Sequence, residues 1–108
     1  MKNITALLID VKAKEIREVE MDTNYQPADY LDYGSLEYVP IKDGDSMVMD
    51  GVARQKPKSE IEGAFIYKQK YAIMNSALVL GHTPKGNRRS PKMTIDELRE
   101  LVQFEDMV

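Results

Sequence analysis

Met93-Thr94-Ile95-Asp96-Glu97-Leu98-Arg99-Glu100-Leu101-Val102-Gln103-Phe104 carries the sharpest structural signal in this 108-residue chain. Thr94 and Glu97 stand at capping-box spacing. The Thr hydroxyl can accept from the N–H of Glu97, while the Glu carboxylate reaches back to the N–H of Thr94. Met93 and Leu98 occupy the positions of a hydrophobic staple, and Asp96 and Glu97 put negative charge on the positive end of the helix dipole. Ile95, Leu98, Leu101 and Val102 form one apolar stripe. The pattern predicts a helix from Ile95 to about Phe104, with its stripe laid on one face of a sheet.

The sheet is legible upstream. Ile4 to Ile9 is apolar on both alternating faces, which predicts a central strand covered on both sides. Arg17 to Met21 alternates, with Val19 and Met21 inward and Glu18 and Glu20 outward, so these two runs predict a hairpin. Pro27 in a first turn and Gly34 just past Tyr33 predict a short helix near residues 27–33. Leu36 to Ile41 reads as a strand whose Pro40 marks an edge or an end. Asp43-Gly44-Asp45 is a turn, Ser46 to Met49 a short strand, and Asp50-Gly51 a hairpin signal before Val52 and Ala53. Gln55 to Glu62 is polar and contains Pro57, so it reads as a surface loop. Phe65 to Tyr71 predicts one strand, with Phe65, Tyr67 and Tyr71 on one face and Lys68 and Lys70 on the other. Ile73 to Leu80 predicts a second central strand, and His82 to Lys92 a loop. The expected fold is one α+β domain over residues 1–108: a mainly antiparallel, or else mixed, sheet of five to six strands with a C-terminal helix.

Composition narrows the function classes. The apolar fraction of 43% suits a packed globule. Cysteine is absent, which removes disulfides, thiolate metal sites and Cys nucleophiles. The apolar run at the N-terminus stops at Asp10, too short for a signal-peptide core or a membrane span. A cytoplasmic protein with no membrane association is the expectation. Charge is segregated. Residues 1–50 hold five Lys/Arg against eleven Asp/Glu, residues 51–93 nine against two, and residues 94–108 one against five. A basic middle either attracts an anionic partner or is neutralised by its own acidic flanks.

No motif supplies catalytic chemistry. An EF-hand loop opening at Asp43 would need a carboxylate where Arg54 stands. Gly81 and Gly86 have P-loop spacing, but Asn87-Arg88 follow instead of Lys-Ser/Thr. His82, the sole histidine, has no nucleophile-elbow serine beside it. Asn75, set among apolar residues, needs partners for its amide if buried. No enzyme activity, metal or cofactor is expected. The basic residues Lys68, Lys70, Lys85, Arg88, Arg89 and Lys92 are the candidate contacts for an anionic partner. Tyr67 and Tyr71 beside the strand lysines suggest a stacking platform for single-stranded nucleic acid. The competing readings are an edge strand guarded by lysines over a core of aromatics, and a basic loop paired with the acidic helix. As exposed loop charges, Arg88 and Arg89 should matter little to stability.

The order of these elements resembles a family of small uncharacterised proteins carried by phages, plasmids and integrating elements. Ile4-Thr5-Ala6-Leu7-Leu8-Ile9-Asp10, the strand near Ile16 to Val19, Tyr30-Leu31-Asp32-Tyr33-Gly34 and Leu36 to Ile41 carry the likeness, with Met74 to Gly81 similar to that family's closing strand. Residues 51–64 depart from its pattern. The resemblance implies a mobile-element accessory protein and no reaction. A non-enzymatic role in binding another protein is the leading expectation, with weak nucleic-acid binding through residues 54–92 as the alternative. A homodimer is the further partner to consider.

Overall fold

The computed structural model describes residues 3–22, 27, 30–31 and 33–105. Nine strands, one α-helix and two 3₁₀ turns are found among them. The larger sheet is antiparallel throughout. Its strands are β1 (Asn3–Asp10), β2 (Glu15–Asp22), β3 (Leu36–Lys42), β4 (Asp45–Asp50), β7 (Ala77–His82) and the two-residue β8 (Arg88–Arg89). They run in the order β2-β1-β7-β4-β3, with β8 on β7. A smaller antiparallel sheet holds β6 (Tyr71–Met74), β5 (Ala64–Tyr67) and β9 (Val102–Glu105), in that order. The helix α1 (Ile95–Leu101) precedes β9.

Side-chain alternation builds two cores on the larger sheet. Leu7, Ile9, Met47, Ala77 and Val79 point to one face and meet Phe65, Tyr67, Met93 and Leu98 from the smaller sheet and the helix. Ala6, Leu8, Val48, Leu78 and Leu80 point to the other face and are covered by Leu31, with Tyr30, Tyr33 and Leu36 packed beside it. The double burial expected of Ile4 to Ile9 is thus met, since β1 is paired by β2 and β7 and covered on both faces. The short helix expected over residues 27–33 falls partly on 28, 29 and 32, outside the described residues. Around them, the N–H of Leu31 donates to the carbonyl of Pro27 at 2.9 Å, closing one turn.

Three expectations are corrected. Phe65 to Tyr71 is not one strand, because Lys68 and Gln69 take φ of 54° and 56° and turn the chain back on itself. Lys68 and Lys70 therefore sit in a hairpin turn and not on a strand face. Ile73 to Leu80 is likewise divided: Asn75, at φ 70°, ends β6 before the buried central strand β7 begins. Asp50-Gly51 makes no hairpin, since a 3₁₀ turn over Ala53–Gln55 follows it. The hairpin lies at Asp43-Gly44, where φ of 51° and 84° gives the doubly left-handed turn that matches strand twist.

The helix begins as predicted. The N–H of Glu97 donates to the Thr94 hydroxyl at 3.1 Å and the reciprocal half of the capping box is present. It stops at Leu101, short of Phe104. Val102 and Phe104 instead alternate inward on β9 and pair with Tyr67 and Phe65, a better use of a β-branched and an aromatic side chain than a further helical turn. Thr94→Ala should lower stability by about 0.5–2 kcal/mol. A denaturant titration showing an unchanged midpoint would mean that the cap carries no weight.

Candidate functional site

Two sheets of unequal width leave a cleft where the wider one is uncovered. Its volume is about 820 Å³, within the roughly 300–1,000 Å³ typical of ligand sites. Val39 and Ile41 of β3 and Met47 and Met49 of β4 line one wall. Tyr67, Tyr71 and Ile73 of the β5–β6 hairpin line the other. Arg54 and the turn lysines Lys68 and Lys70 also border it, with Glu37 on the acidic side. Tyr71 and Met74 are 52% and 37% exposed, so the lip on the hairpin side is apolar and wet.

The Tyr67 hydroxyl is the one buried side-chain polar atom without a hydrogen-bond partner among the described residues. Its residue is 4% exposed and lines the cleft. Burial, and then the charge of Asp45, push its pKa up, so the phenol keeps its proton and remains a donor. The proposed stacking platform is thereby corrected. Tyr67 lies in the core, and only Tyr71 offers a ring to solvent. Each lysine instead rides on its own neighbour, Lys68 5.5 Å from the Tyr67 ring centroid and Lys70 5.3 Å from that of Tyr71.

One end of the cleft is held by a polar knot. Asp50 accepts from Lys56 Nζ at 2.6 Å, from Asn75 Nδ2 at 2.8 Å and from the N–H of Val52 at 3.0 Å. Asn75 Oδ1 accepts from the N–H of Glu62 at 2.7 Å, and the N–H of Asn75 donates to the carbonyl of Gly63 at 2.7 Å. The amide is therefore spent on the fold, and Asn75 is a structural residue. Burial alone would raise the Asp50 carboxyl, but Lys56, the Val52 N–H and the Asn75 amide outweigh it and hold it below the ordinary carboxylate value. Asp10 is lowered in the same manner, burial being outweighed by the Ala13 N–H and Arg17.

These directions fix a pH dependence. A carboxyl whose folded pKa lies below its unfolded value of about 3.9 stabilises fully above that value. The contribution is lost as pH falls through the folded pKa. The melting temperature should therefore drop on acidification below about pH 4, and Asp50→Asn should flatten that limb. An acid limb with the same slope in the variant would remove Asp50 from the account.

The six basic candidates are not brought together. Lys68 and Lys70 border the cleft; Lys85, Arg88, Arg89 and Lys92 do not. Lys85 and Lys92 are exposed. Arg88 is half-buried and already engaged. Arg89 is a structural residue: its Nη1 lies 3.0 Å from Asp45 Oδ1, and its Nη2 donates to the carbonyl of Asp43 at 2.8 Å. Its guanidinium rests over Gly44 and Gly81, where any Cβ would collide with it. The basic middle is thus neutralised in part by acids of the first half, with Lys56 on Asp50 and Arg89 on Asp45. For Arg89 the acceptors are Asp45 and the carbonyls of Asp43 and Ser90, not the helix.

Sequence reasoning missed the cleft. Met47, Met49 and Ile73 carry no motif, and only knowledge of which face each strand turns inward would single them out. Among the described residues no cluster of side chains could hold a metal ion, and no helix is long and apolar enough to cross a membrane. No family model, no curated protein and no solved structure matches this chain.

Proposed function

We propose that this chain is a non-enzymatic accessory protein of a mobile element that works by holding another protein in the cleft between its two sheets. The observation that carries this reading is the apolar cleft with Tyr71 and Met74 exposed at its lip. Methionine fills irregular gaps and suits a surface that must adapt to a partner. Tyr is a frequent anchor of protein interfaces, since it adds large contact area at small entropic cost. The mobile-element setting rests on the resemblance of the opening strands, the Tyr30–Gly34 segment and Leu36 to Ile41.

The alternative is nucleic-acid binding by the basic segment. It is supported by the exposed Lys68, Lys70, Lys85 and Lys92, and weakened by the commitment of Lys56 and Arg89 to buried acids. Capture from nuclease-treated host lysate distinguishes the two. A protein retained by the wild type and released by Tyr71→Asp with Met74→Asp is the expected result. Retention that vanishes with nuclease, and with Lys68→Ala plus Lys70→Ala, would transfer the assignment to nucleic acid.

A further inference from the structure

Among the described residues, apart from the two-residue β8, four strands end the two sheets and present an edge, β2, β3, β6 and β9. An unpaired strand edge is a template for another chain, and folded proteins blunt such edges with charges, prolines and bulges. Three of the four are blunted. Charged residues fill five of the eight positions of β2, at Glu15, Arg17, Glu18, Glu20 and Asp22. A guanidinium nitrogen of Arg99 also reaches over to the carbonyl of Ile16. On β3, Pro40 lacks an N–H and the register shifts between Pro40 and Lys42. On β9, the outward side chains are Gln103 and Glu105. The fourth, Tyr71-Ala72-Ile73-Met74, has no charge, no proline and no register shift, and it pairs with β5 alone.

We propose that the β6 edge is a strand-addition site that takes an extended segment of a partner protein, apolar at alternate positions and acidic at one end. This deepens the protein-binding reading above and rests on it. A strand laid beside β6 would extend the smaller sheet over β3 and roof the cleft. Its inward side chains, every second one, would then meet Val39, Ile41 and Met49. The four residues of β6 template a segment about 14 Å long. One further observation specifies the occupant. Lys68 and Lys70 sit at the end of β6 where the hairpin turns, and neither has a carboxylate within ion-pair distance among the described residues, so that end favours acids. A second copy of this chain fits less well. A twofold pairing of β6 is antiparallel, so Lys70 of each copy would lie at opposite ends of the pair and face a mate strand that carries no carboxylate.

The experiment is selection from a displayed library of random short peptides against the intact protein, followed by solution binding of the enriched peptides. Enrichment of alternating apolar sequences with acids at one end is expected. Their affinity should fall roughly tenfold or more with Tyr71→Asp and weaken with Lys68→Glu plus Lys70→Glu. N-methylation of alternate peptide nitrogens, which removes main-chain donors and leaves the protein untouched, should also cost at least about tenfold, since two or more hydrogen bonds go. Peptides that tolerate N-methylation yet are lost with Tyr71→Asp would overturn strand addition and leave the cleft as a protein-binding site. If the library enriches nothing sensitive to Tyr71→Asp, both readings fall.

Discussion

Arg89→Ala is expected to cost about 3 kcal/mol of folding stability, at the lower end of the roughly 3–5 kcal/mol seen when a buried ion pair loses one partner. The Asp45 side chain is 1% exposed. Its Oδ1 accepts from Arg89 at 3.0 Å and from the N–H of Lys92 at 3.0 Å, and its Oδ2 accepts from the N–H of Met93 at 2.9 Å. Removing the guanidinium leaves a desolvated carboxylate with backbone donors only, which is why the lower figure applies. It also empties the space over Gly44 and Gly81. Arg89→Lys should recover little, because a single ammonium cannot reach Asp45 and the carbonyls of Asp43 and Ser90 together. The measurement is a denaturant midpoint at neutral pH. A loss under about 1 kcal/mol, the ceiling for a typical exposed pair, would return Arg89 to the class of surface charges and make it available to an anionic partner.

Leu98→Ala is expected to cost about 2–5 kcal/mol. Leu98 is 0% exposed and the only fully buried residue of the helix. It reaches the core shared with Phe65, Val79 and Met93, so truncation opens a void between the helix and both sheets. With seven residues, α1 has little stability of its own, so the loss should appear as one cooperative transition for the whole fold. Leu101→Ala, at a half-buried position, should cost less. Equal losses from the two substitutions would contradict the packing of the helix through Leu98.

The parts of the fold that the sequence announces are those governed by neighbours a few residues apart. Thr94 and Glu97 mark the start of the helix because both halves of the cap are local. The double-faced run Ile4 to Ile9 marks a central strand because burial on both sides leaves no polar alternation. The division of Phe65 to Leu80 into three strands was hidden, because Lys68, Gln69 and Asn75 adopt positive φ without the glycine that normally signals it. The strand nature of Val102 to Glu105 was hidden because its apolar residues also fit the helical stripe. At the candidate site Lys68 and Lys70 were nominated beforehand for their charge, and Tyr67 and Tyr71 for their rings. Met47, Met49 and Ile73 reach the same cleft through strand register, and Arg89 meets Asp45 across 44 positions, which no local pattern encodes.

The pairing of β1 with β7 has a consequence in time. Ile9 lies opposite Ala77, 68 residues later in the chain. At roughly 5–20 residues per second, a ribosome takes about 3–14 s to supply that partner. Throughout that interval Ile4 to Ile9, apolar on both faces, is held only by β2 on one side. Nascent chains of this protein therefore carry a sticky, half-finished sheet for seconds, long compared with the microseconds in which a hairpin closes.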